Sequence, residues 1–311
     1  MPDLIDPTRA TSLAVKRRTF VGLSAVSAGA ASIGGAAAAA LAQGSAYGQP
    51  HPPIVSESDP QIEAQPLRLT YQLGGSTRVL EAYAARPKDA KPSNPGVVIV
   101  PAIWGVDAQL RDVARRLAKA GYVAIAPDLY SGLGAPSGDG ANDFAVFQPF
   151  AQKLDDYTVD RDLQQGALWI HRQGDSTAKV GVIGFCMGGS IALRQSVDSV
   201  AAYKAVSVFY GKVRYSASDD NKGPIVPIDI AYAAAMGVPV VGSWGVRDTS
   251  ILPDDVRALE ARLTDLNKPH DFALYDGAGH AFFDDTRGSY VPTAANDAWQ
   301  RTISWFRRFL S

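Results

Sequence analysis

Apolar residues recur along the chain in short β-branched runs, set between longer stretches with helical spacing. Residues 96–101, 122–126, 180–184, 205–210, 239–243 and 272–275 read as brief strands whose mostly apolar character suits burial on both faces. Between them, Leu110, Val113 and Leu117 put an apolar face on a helix over 107–120, and Leu163, Ala167 and Ile170 do so over 155–173. Helices over 252–266 and 294–310 follow, the last with Trp299, Ile303, Phe306 and Leu310 on one side. Ahead of all these, 67–72 and 78–85 flank Gly74-Gly75 and predict an antiparallel hairpin. Strands alternating with helices predict an α/β fold, its central sheet mostly parallel and flanked by helices through right-handed crossovers. The pattern gives no course for 131–150, which opens as a Gly-rich loop.

The first 42 residues follow a different pattern. Lys16-Arg17-Arg18-Thr19-Phe20 precedes a weakly apolar Ala- and Gly-rich run ending at Ala40-Leu41-Ala42, the form of a twin-arginine export signal. A membrane anchor is the alternative, but Ala, Gly and Ser supply little hydrophobic drive. Removal after Ala42, with Ala46 as second choice, predicts a periplasmic or secreted protein delivered by the twin-arginine machinery. Residues 43–65, with four prolines and few apolar positions, read as a flexible linker before a domain over 66–311.

Composition narrows the function. With 30 basic and 31 acidic residues and no basic run outside the leader, nothing suggests a nucleic-acid partner. Losing the leader removes four basic and two acidic residues and moves the net charge from −1 to −3. A single cysteine excludes an internal disulfide, and the four histidines form no cluster of metal-ligand spacing, so neither metal nor other cofactor is expected.

That cysteine lies in the stretch the rest is organised around. In Gly184-Phe185-Cys186-Met187-Gly188 the glycines stand two residues either side of the thiol, directly between a strand and a helix start. This is the spacing of a nucleophile elbow with cysteine in place of serine. A sharp strand-to-helix turn strains its middle residue, and the following helix N-terminus favours a thiolate. A small buried hydrophobe is the plainer reading of a lone cysteine. Two later segments argue against it. Asp248 follows a late strand in Gly245-Val246-Arg247-Asp248, and His280 follows the last strand in Gly277-Ala278-Gly279-His280. Nucleophile, acid and base in that order are those of α/β-hydrolases. Asp254 and Asp255 are the expected caps of the following helix, which leaves Asp248 free to orient His280.

On these residues, together with Ile103-Trp104-Gly105-Val106, Ala126-Pro127-Asp128-Leu129-Tyr130, Gly279-His280-Ala281-Phe282-Phe283 and Asp285-Thr286-Arg287-Gly288-Ser289-Tyr290, the chain resembles the dienelactone hydrolase (carboxymethylenebutenolidase) family over about 66–311. The resemblance implies a Cys186–His280–Asp248 triad and an oxyanion hole from the backbone N–H groups of Ile103 and Met187. It also marks two departures. Ala102 stands where the best-known members carry a glutamate that engages the resting cysteine, so Cys186 is expected to pair directly with His280. Asp284 stands where they carry an arginine that binds the substrate carboxylate; Arg287 is the candidate substitute, with a surface salt bridge as the equal alternative. Trp104, Tyr130 and Phe283 are candidates for an apolar acyl pocket, with core packing as the plainer reading. The reading is an exported hydrolase of small carboxylic esters or lactones acting through an acyl-cysteine. Its rivals are a non-catalytic binding protein of the same fold and a thiol redox protein using Cys186, the latter lacking a resolving cysteine.

Overall fold

The structure, a computed structural model, describes residues 48–173, 178–198, 202–214 and 230–311. The leader and both cleavage positions lie outside the described residues. Eight strands form one sheet: β1 (Ile62–Leu73), β2 (Ser76–Pro87), β3 (Gly96–Val100), β4 (Val123–Pro127), β5 (Val180–Phe185), β6 (Ala205–Phe209), β7 (Val240–Gly245) and β8 (His270–Tyr275). Their order is β1-β2-β4-β3-β5-β6-β7-β8. The pairs β1/β2 and β2/β4 are antiparallel and every other pair is parallel. Strands β3 to β7 are buried residue by residue, which is why their sequences are almost wholly apolar, with Ser207 and Ser243 the polar exceptions.

Helices α1 (Ala108–Lys119), α2 (Phe144–Ala151), α3 (Asp156–Gln173), α4 (Met187–Asp198), α5 (Pro253–Asp265) and α6 (Pro292–Leu310) cover the sheet. Leu110, Val113 and Leu117 of α1, and Leu163, Ala167 and Ile170 of α3, are buried as their spacing predicts. Asp107 caps α1 by accepting the Leu110 N–H at 2.9 Å.

Three expectations change. Helix α2 occupies part of the stretch that had no derived course; Asp143 caps it through the Ala145 N–H, and Phe147 anchors it. With Ile103, Tyr130 and Ala151, Phe147 forms a small apolar cluster separate from the main core, and Met187 packs against it. At α5, neither Asp254 nor Asp255 is the cap: they lie in the first turn behind Leu252 and Pro253, and pair with Arg257 and Arg214. The third concerns the linker. From Gly48 onward the chain is docked rather than free, and β1 starts at Ile62, inside the span read as linker. Gly48 N donates to Tyr290 O at 2.7 Å, His51 N to Asp285 O at 2.9 Å, and Ile54 N and Val55 N to the Asp112 carboxylate. Proline content misled because Asp112 and Arg115, the partners of this segment, lie more than fifty residues away.

Candidate active site

Strand pairing brings the site together. In the parallel register Val100 pairs with Gly184, so the chain leaving β3 and the chain leaving β5 emerge side by side. The first runs into Ile103 and the second into Cys186. Cys186 has φ 55°, a left-handed conformation unusual for a non-glycine residue, which stores strain in the elbow. The turn is possible because its flanks are bare. A Cβ at Gly184 would lie 1.9 Å from Gly188 O, and one at Gly188 would lie 2.2 Å from Val100 O.

The loop after β7 and the loop after β8 are tied together: Val246 N donates to Tyr275 O at 3.0 Å and Arg247 N to Ala278 O at 2.8 Å. Between them His280 Nδ1–H donates to Asp248 Oδ2 at 2.7 Å, and His280 Nε2 lies 3.0 Å from Cys186 Sγ. The structure therefore brings together all three residues that the sequence singled out, and sets thiol against imidazole directly. The other Asp248 oxygen accepts from Ser250 N at 2.8 Å, Ser250 Oγ at 2.7 Å and Ile251 N at 3.1 Å. A carboxylate so fully bonded is fixed as an acceptor. Burial alone would raise its pKa, but the His280 bond and charge and the Ser250 bonds hold it below the ordinary value.

Thiol and imidazole are coupled. Burial opposes charge on both, yet the His280 charge, its hydrogen bond and the Met187 N–H pull the Cys186 thiol below its ordinary value. Against its own burial, His280 is raised to about 10 by the thiolate and by Asp248. Both shifts favour thiolate beside imidazolium over the neutral pair.

Two supporting side chains escaped sequence reasoning. Ser250 was signalled by Asp248-Thr249-Ser250, the spacing of a side chain that closes a turn on its own backbone. Tyr210, just past β6 with φ 40°, packs edge-on against the His280 ring at 5.2 Å between centroids; nothing local distinguishes it from an ordinary strand aromatic.

The residues proposed for the oxyanion hole and pocket divide. The Ile103 and Met187 amides donate to no backbone carbonyl among the described residues. Tyr130 donates its hydroxyl to Ile103 O at 2.9 Å and belongs to the small cluster beside the elbow. Trp104 stacks edge-on with Phe147 at 5.3 Å and carries the Arg287 guanidinium over its face at 4.2 Å. Arg287 is no open carboxylate receptor: its Nε donates to Asp284 Oδ2 at 2.7 Å, it bonds Ala141 O, and Asp107 lies 3.6 Å away. Phe283 packs in the main core, stacked among Phe185, Phe209 and Trp299 at 4.7 to 5.9 Å.

A mostly parallel sheet with thiol, imidazole and carboxylate at the carboxyl ends of β5, β8 and β7 defines an α/β-hydrolase. Residues 80–310 match the Dienelactone hydrolase family. The chain is 36% identical over 234 residues to the Escherichia coli protein named "Putative carboxymethylenebutenolidase", covering 74% of this chain and 83% of that one. It is 32% identical over 227 residues to a Bradyrhizobium protein named "Probable 2-oxo-3-(5-oxofuran-2-ylidene)propanoate lactonase", covering 73% and 88%. The solved structure titled "Putative Dienelactone Hydrolase" from Klebsiella pneumoniae superposes with TM-score 0.68 at 32% identity, over 79% of this chain and 99% of that one. The chain belongs to the dienelactone hydrolase family.

Proposed function

We propose that this chain is an exported hydrolase of small, uncharged carboxylic esters or lactones that acts through Cys186. The observation that carries the proposal is the unbroken line from Cys186 Sγ to His280 Nε2 at 3.0 Å and from His280 Nδ1 to Asp248 Oδ2 at 2.7 Å. The thiolate adds to the substrate carbonyl, and the developing oxyanion is met by the N–H groups of Ile103 and Met187. As the tetrahedral adduct collapses, His280 gives its Nε2 proton to the departing alkoxide, leaving an acyl-cysteine. Neutral His280 then takes a proton from the water that attacks the thioester; collapse of the second adduct releases the acid and expels the Cys186 thiolate, and His280 keeps the proton, which restores the starting pair. Asp248 keeps the imidazole in the one tautomer that serves both steps.

The preference for uncharged substrates rests on Asp284 and Asp107. Together they occupy the Arg287 guanidinium, while the Trp104 ring covers its face. The lactonase and carboxymethylenebutenolidase names of relatives support the choice of carbonyl chemistry, and the paired arginines of the leader support export to the periplasm or beyond.

The test is turnover of a short p-nitrophenyl ester and of cis-dienelactone by residues 43–311, beside Cys186→Ala and His280→Ala. Ester turnover abolished in both variants, with dienelactone the poorer substrate, is expected. Wild type no better than the variants on either substrate overturns the enzyme reading; efficient dienelactone turnover overturns the substrate preference alone.

A further inference from the structure

Residues 48–59 lie ahead of the family match, which begins at residue 80, and yet they touch the loop that carries His280. One end of this segment pairs backbone to backbone with that loop: Gly48 N to Tyr290 O and His51 N to Asp285 O, with the His51 ring edge-on to Tyr290 at 5.4 Å. The other end is fixed on α1. Ile54 N and Val55 N donate to the two oxygens of the buried Asp112 at 2.8 and 2.9 Å, and Arg115 Nε returns a bond to Val55 O at 2.6 Å. Lys119 holds Asp59 at 2.9 Å. The two anchors meet, because Arg116 bridges Asp112 and Asp285.

The loop so gripped leads straight back to the catalytic base. Val291 N donates to Phe282 O at 2.9 Å and Ser289 Oγ to Ala281 O at 3.0 Å, so residues 281–291 close on the residue next to His280. Ala281 itself has φ 58°, a conformation that neighbours must impose. Under the segment lies a cavity of about 220 Å³ lined by Val55, Phe283, Asp285, Tyr290 and Trp299. Apolar packing is incomplete there, and the polar anchors do most of the holding.

We propose that residues 48–59, with Asp112 as their anchor, form a positioning strap that holds the His280 loop in register with Cys186, making the segment left behind by leader removal part of the hydrolytic machinery. The strap touches neither thiol nor imidazole; it acts through residues 281–291. The inference rests on the hydrolase reading, and its test uses one readout independent of turnover.

In the processed chain, Gly48→Val would drive a side chain into Pro292 and Tyr290, 2.7 and 2.8 Å from a Cβ there. Ile54→Pro removes an N–H donor to Asp112 without altering the domain beneath. Each would be compared with wild type for kcat and KM on the p-nitrophenyl ester, for the rate of Cys186 alkylation by iodoacetamide at pH 6, and for Tm. We expect kcat to fall about tenfold with KM within about twofold, and alkylation to slow about threefold, as for a base shifted slightly off line. Both rates equal to wild type in both variants, whatever Tm does, would overturn the strap. Were wild type to cleave no ester, the hydrolase reading would fail, and alkylation would still decide whether the strap sets the thiolate.

Discussion

Tyr130 donates its hydroxyl to the carbonyl oxygen of Ile103 across 2.9 Å of buried space, bracing the turn that follows β3 against the loop that follows β4. The bond fixes the peptide just after the amide assigned to the oxyanion. Tyr130→Phe leaves that carbonyl unpaired, which costs about 1–3 kcal/mol of stability. The expected signature is a lower urea midpoint together with a kcat reduced severalfold and KM little changed.

The strained elbow sets stability against reactivity. At φ 55°, glycine is at ease and alanine is not, so Cys186→Gly should unfold at higher temperature than Cys186→Ala, by about 1 kcal/mol, while both are inactive. Differential scanning fluorimetry on the pair measures this, and equal midpoints would contradict it.

Asp248 has one oxygen for His280 and one for Ser250. Asp248→Asn keeps the shape and loses the acceptor, so kcat should drop by about 10³- to 10⁴-fold, as when a triad imidazole is held in the wrong tautomer. Ser250→Ala removes one of three bonds to the far oxygen and should cost less than about tenfold. Steady-state kinetics on both variants would establish the ranking.

Protonation makes a sharper prediction. His280, raised to about 10 from 6.5, contributes stability that is complete below 6.5 and is lost as pH climbs through about 10. Cys186, lowered from 9.0, contributes stability that is complete above 9.0 and is lost as pH falls through its depressed folded value. Between 6.5 and 9.0 the two slopes cancel, since the folded pair holds one proton and so does the unfolded pair. Denaturation of wild type should therefore show a plateau there from this pair, with decline on both sides, and Cys186→Ala should lose the acid-side decline that the thiol supplies. Alkylation of Cys186 should stay fast below pH 9.0, where an ordinary thiol slows.

Much of this was legible in the sequence. Gly184, Cys186 and Gly188 announce the elbow because only bare flanks permit it, and Asp248 and His280 stand just beyond strands whose apolar runs mark them. Register then does the rest: Val100 beside Gly184 puts Ile103 next to the thiol. What stayed hidden depends on distant partners. Phe283 is ambiguous in the sequence, because an aromatic shortly after His280 looks the same whether it faces substrate or core, and only its stacking on Phe185, Phe209 and Trp299 shows the core packing. The docked segment at 48–59 looked like a linker because Asp112 and Arg115 sit within a helix pattern that gives no hint of what they hold.

The small cluster of Ile103, Tyr130, Phe147 and Ala151 stands apart from the main core and backs both proposed oxyanion donors. Mutations there can reshape the ground beside the thiol without disturbing the sheet, whereas Gly184 and Gly188 admit no change at all. A lineage with this architecture would keep its reaction fixed while its substrates drift, and residues 131–151 are where such drift would first be written.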